Sequence, residues 1–148
     1  MSSHDHPRDH AGMEVLDAGE CRLLLAANRI GRVAFQENGE VMIFPVTYSF
    51  HSSRVCFRSA VGAKLDAALE QSPVAFEIDG WDENSTTGWS VVVKGRLAEV
   101  SDEEVVAGLE EHGAPSWLSS EREMRWVEVI AEEMSGRKLP GSADRPSD

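Results

Sequence analysis

The sequence predicts a mainly β protein of antiparallel strands with flanking helices, closed as a barrel rather than doubly wound. Three observations support that class. Short alternating or β-branched segments recur along the chain, separated by turn residues. Asn38-Gly39, a strong hairpin signal, joins two of them. Strands and helices do not alternate regularly, as a parallel sheet would require. At 148 residues the chain suits one domain with one core.

Residues 17–28 (DAGECRLLLAAN) read as a helix. Asp17 is a suitable N-cap, Glu20 sits at the capping-box offset, and Leu23, Leu24 and Ala27, with Cys21, make the apolar face. Residues 32–36 and 41–50 are two strands of a hairpin about Asn38-Gly39. Pro45 lies inside the second, which places that strand at an edge, a bulge or a bend. Residues 51–54 (HSSR) turn the chain into a third strand, 55–59. A short helix over 62–71 presents Leu65, Ala68 and Leu69, and Ser72-Pro73 ends it.

Residues 74–81 alternate as a half-buried strand, and 82–88 form a loop. Residues 89–100 make a long strand, with Gly95 marking a bulge or bend. A helix over 102–112 is expected to take Ser101 as its cap and Glu104 as the reciprocal partner. In 121–134 both alternating sets are apolar, so period does not decide; β-branched enrichment favours a strand. Residues 1–12 and 140–148 are polar and are expected to be disordered around a folded 13–139.

Composition narrows the partners. A net charge of −12 opposes nucleic acid and anionic membrane, both of which ask for a basic face. The expected location is the cytoplasm: no run approaches the roughly 20 apolar residues that span a bilayer, and no apolar segment follows the N-terminus as in a secretion signal. Cys21 and Cys56 lack CxxC spacing and read as free, buried thiols. His4, His6 and His10 read as solvated tail residues, so no metal site is assigned. Glu77 and Asp79 read as the solvent face of a strand, and Glu103, Glu104, Glu110 and Glu111 as a solvated helix face. Trp81, Trp117 and Trp126 read as packing. His51 and His112 have no Ser or Cys partner for nucleophilic work.

One window breaks the acidic pattern. Residues 41–65 contain no Asp or Glu, where average composition gives about four. They do contain His51, Arg54, Arg58 and Lys64. The run Arg58-Ser59-Ala60-Val61-Gly62-Ala63-Lys64 ends a strand and opens a helix. A helix start offers unpaired N–H groups, Arg58 a two-pronged donor, Ser59 a hydroxyl and Lys64 a mobile charge. That set suits one phosphate, although the glycine spacing is not that of a Walker loop.

Five pieces, in order, resemble the pyridoxamine 5′-phosphate oxidase-like, flavin-binding split-barrel family: RIGRVAF after a leading helix, FPVTYSF, VCFRSAVGAKL, GWSVVVKGRLAEVSD and EEMSGRKL. They cover about residues 14–139. The resemblance implies a six-stranded antiparallel split β-barrel, a homodimer, and FMN at the interface. It implies that Arg58, Ser59, Ala60 and Lys64 hold the FMN phosphate. Pro45, Val46, Thr47 and Tyr48 would run beside the flavin ring, and Trp89 and Ser90 would reach it from the partner subunit. Thr47 stands where the motif favours Asn. Gly136 and Arg137 match the closing segment. The function implied is that of an FMN-dependent oxidoreductase on a small molecule, with no catalytic residue assigned. A true pyridoxamine 5′-phosphate oxidase is not expected, because no His follows His112. A deazaflavin-dependent reductase and a non-catalytic flavin- or haem-binding dimer are the other readings.

Overall fold

The computed structural model describes residues 7–60, 66, 69, 73–112 and 123–141, with only the backbone of Glu37. Among the described residues the elements follow in the order β1 (Glu14–Leu16), α1 (Ala18–Ala27), β2 (Ile30–Glu37), β3 (Glu40–Thr47), β4 (Ser49–His51), β5 (Arg54–Ala60), β6 (Val74–Asp82), β7 (Thr87–Glu99), α2 (Glu103–His112) and β8 (Met124–Leu139). Within the expected 62–71 helix, Asp66 and Leu69 are helical, and Leu69 packs against the core.

The strands form one antiparallel sheet ordered β3-β2-β6-β7-β8-β5-β4, with β1 paired to β8. β3 and β4 stand at opposite ends of that ladder, yet only Tyr48 separates them along the chain. Such a ladder cannot lie flat, so it curls into a barrel. The mainly β, flanking-helix class of the sequence is therefore the observed one. The strand count is eight rather than six because β1 is additional and Tyr48 divides the expected 41–50 strand.

The Asn38-Gly39 turn forms as expected, with φ of 50° and 79°. β3 is an edge strand, which is where Pro45 is tolerated. Gly95 marks a register break against β8, and a side chain there would overlap the Ile130 carbonyl oxygen. Both faces of β8 are covered: Val127 and Val129 join the barrel core, while Trp126 joins Cys56, Val100 and Leu109 beneath α2. Two apolar faces are what made this segment ambiguous by period.

The helices show two corrections. α1 has the full Asp17–Glu20 capping box, but its buried residues are Cys21 and Leu25, while Leu23 is 73% exposed. At α2, Asp102 Oδ1 accepts from the amides of Glu104 (2.9 Å) and Val105 (3.5 Å), so the cap is Asp102 rather than Ser101. Near the N-terminus, residues 7–12 turn back on β1: Val15 N donates to Pro7 O, and Asp9 Oδ1 accepts from Ala11 and Met13 N.

Candidate functional site

The barrel is split where β3 and β5 part. β4 pairs with β5 from Ser49↔Cys56 to His51↔Arg54. Beyond that point β3 turns to pair with β2, whereas β5 continues along β8. Tyr48 is the hinge. Its N–H donates to Arg29 O (2.9 Å) and its hydroxyl to Leu25 O (2.6 Å), and its ring meets Phe76 edge-on at 4.9 Å. Tyr48 is fully buried, and burial pushes its phenol up to about 12. Of the expected ring-side residues, Tyr48 therefore contributes backbone to this region and not its side chain.

Alternation sorts the others by face. Val46 packs against the core, while Pro45 and Thr47 point outward. On β5, Val55 and Phe57 point into the barrel, so Ser59 follows them inward, while Arg58 and Ala60 follow Cys56 outward. The outer face of the split thus carries Thr47 and Arg58 on its two sides. The Ser59 hydroxyl lies on the opposite face from the Arg58 guanidinium, which separates two members of the expected clamp. Lys64 and Gly62 lie outside the described residues.

Arg58 is held over the Trp126 ring at 5.1 Å, and the Trp126 indole N–H donates to Glu110 Oε1 at 2.8 Å. Glu110, expected on a solvated face, thereby orients the ring beneath Arg58. Arg54 is paired with Glu128 at 3.4 Å. Arg125, directly across from Ser59, is paired with Glu99 at 3.0 Å.

Trp89 and Ser90 lie elsewhere. Arg58 pairs with Trp126, whose carbonyl accepts from Val100 N, just beyond the end of β7. Ser90 is ten residues back along β7, about 33 Å of strand. One copy of the chain does not bring the two groups together.

The two tryptophans here face opposite sides of the sheet. Trp89 turns inward over Gly80, its cross-strand partner, where a Cβ would stand 2.5 Å from the Trp89 Nε1. Trp81, read as packing, lies outward over Gly88 and is 55% exposed. Residue type alone did not separate them; strand parity counted from the buried Phe76 and Ile78 does.

Beside Trp81 the outer face carries Asp79 opposite Ser90, and Ser90 opposite Arg137. Arg32 Nη1 sits between Glu77 (3.5 Å) and Asp79 (3.2 Å). Burial raises the Glu77 carboxyl to about 7, helped by the neighbouring Asp79 and opposed by Arg32. Arg137 pairs with Asp9 at 3.1 Å.

The model of the pyridoxamine 5′-phosphate oxidase family matches residues 17–138, nearly the whole described barrel. The chain belongs to that family. An uncharacterised protein of Mycobacterium tuberculosis is 41% identical over 97 residues, which is 62% of this chain and 64% of that protein. Among solved structures, an FAD-binding protein from Mycobacterium smegmatis is 32% identical, with a TM-score of 0.69 over 84% of this chain and 98% of the other. An FAD-binding protein from Mesorhizobium loti is 26% identical, with a TM-score of 0.68 over 86% of this chain and 98% of that one. The family expected from the five ordered motifs is the family found. Among the described residues, no helix is long and apolar enough to cross a membrane.

Proposed function

We propose that this chain binds a flavin, with its phosphate on the outer face of the split beside Arg58, and that it works as an oxidoreductase on a small molecule. The reading is carried by strand alternation, which turns both Thr47 on β3 and Arg58 on β5 outward where the two strands part, in a chain of this family. A guanidinium steadied over an indole is a good phosphate partner, because its planar fork is pre-oriented. The flavin would supply the hydride or electron chemistry. The protein would orient the phosphate through Arg58 and lend the Thr47 hydroxyl near the ring.

The form proposed is FMN. FAD is the second reading, favoured by two similar structures named as FAD-binding proteins. Both contain the phosphate that Arg58 would hold. The active unit would be a homodimer, because Ser90 lies near the start of β7 and Arg58 of the same copy lies two strands over, level with its far end. The cytoplasm remains the proposed location.

Pigment released by denaturing the purified protein decides the cofactor. A mass equal to FMN supports the reading, FAD redirects it to the second, and a colourless protein that fails to take up either refutes it. Arg58→Ala should weaken flavin phosphate binding most, by roughly a hundredfold. Arg54→Ala should change it little, because Arg54 serves Glu128. Equal affinity for FMN and phosphate-free riboflavin would exclude the clamp.

A further inference from the structure

We propose that the cavity between α1, β4 and α2 is a binding site for a small oxyanion of the phosphate or carboxylate class. The chain has five histidines, three of them within its first ten residues. The other two, His51 on β4 and His112 at the end of α2, are 61 positions apart and line the same cavity. Arg29, from the α1–β2 connection, and the Ser49 side of β4 complete its polar wall, over Phe50 and Leu109. In a chain of net charge −12, three basic residues from three elements line one concavity, with Arg29 and His112 at its exposed rim.

The lining selects the ligand class. Among the described residues it contains no carboxylate and no thiol. A guanidinium has five donors and no acceptor, so Arg29 suits an anion and disfavours a metal cation. Both imidazoles can donate to an oxyanion. His51 is fixed against Gly108 of α2, where a Cβ would meet its Cε1 at 3.3 Å, whereas His112 stands exposed at the end of α2. Arg29 Nη1 is tied to the carbonyls of Ala26 and Asn28, both at 2.8 Å, which holds the guanidinium at the end of α1.

Size sets the upper bound. The cavity is about 150 Å³. That equals about five water volumes at roughly 30 Å³ each, whereas drug-sized ligands occupy pockets above roughly 300 Å³. A phosphate or a short carboxylate fits that volume, which is too small to enclose a flavin. Arg58, Ser59, Trp89 and Ser90 do not line it, so the site stands apart from the flavin reading. The chain's overall negative charge is screened beyond about 8 Å at physiological salt, leaving the local Arg29 guanidinium to act. An opposing group, Glu111, lies 3.7 Å from His112 Nε2. An anion here would tie α2 to the barrel through β4 and α1.

The test is a titration of the full chain with inorganic phosphate, then acetate, at constant ionic strength, following the side-chain signals of all five histidines by NMR. Saturable shifts of His51 and His112 together, with His4, His6 and His10 unmoved, are expected with at least one of the two anions. Arg29→Gln should weaken the response at least tenfold. Because Arg29 also closes the end of α1, the exposed His112→Gln provides a second variant and should weaken it several-fold in a folded protein. No saturable response to either anion by 50 mM, equal shifts of all five histidines, or a response of the pair to Zn²⁺ alone would overturn the proposal. So would displacement of the anion by FMN, which would make the cavity part of the flavin site.

Discussion

At Tyr48 the ring fills the core against Phe76 while the hydroxyl reaches the last turn of α1. Tyr48→Phe keeps the ring and leaves the Leu25 carbonyl without that donor, so it should cost about 1–2 kcal/mol in urea unfolding. Burial also pushes the Cys21 thiol up and that of Cys56 to about 12. Neither should react with a thiol-directed reagent until the protein unfolds; fast labelling of the native chain would contradict their burial. At Glu77 the sign runs the other way from an ordinary ion-paired acid. Its folded carboxyl titrates at about 7 against an ordinary 4.5, so between those values the folded state holds a proton that the unfolded state has lost. Its contribution to stability therefore falls as pH rises from about 4.5 to 7 and is level above that. Glu77→Gln should flatten this part of the profile and gain most at pH 8. Urea midpoints of both proteins at pH 5 and 8 measure it, and parallel profiles would exclude it.

Among the elements, the α2 start and the β4–β5 turn offer the sharpest contrasts. Asp102→Ala should cost about 1 kcal/mol and Ser101→Ala almost nothing, since the amides of Glu104 and Val105 are served by Asp102. The β4–β5 turn places Ser52 and Ser53 at φ of 51° and 62°, whereas the β2–β3 turn uses Asn-Gly for the same geometry. Ser53→Gly should relieve that strain by roughly 0.5–1 kcal/mol, seen as a higher melting temperature. The sequence showed a turn at both places, but only the asparagine-glycine pair announced its type.

On the scale of the whole molecule, the proposed dimer makes a distinctive prediction. If Arg58 of one copy and Ser90 of the other serve one flavin, Arg58→Ala and Ser90→Arg proteins should each bind flavin poorly. Mixed and reassembled together, they form heterodimers with one intact site, so binding should recover to about a quarter of the wild-type level with random pairing. No recovery, or a monomer at every concentration in sedimentation, would remove the shared-site reading.

Residue order alone determined much of this protein. Periodicity and turn chemistry placed the six main strands and the capped α1, and five ordered motifs identified the family. These are local signals, carried by residues within one element. What only the tertiary structure decided concerns direction and distant neighbours. Which tryptophan faces out depends on parity relative to the barrel interior. Arg58 and Ser59 are adjacent in sequence yet point to opposite faces. His51 and His112 share a cavity because α2 folds back across β4. Even the division of β3 from β4 at Tyr48 was not local: the strand breaks there because its buried phenol and amide bond to Leu25 and Arg29, some twenty residues away.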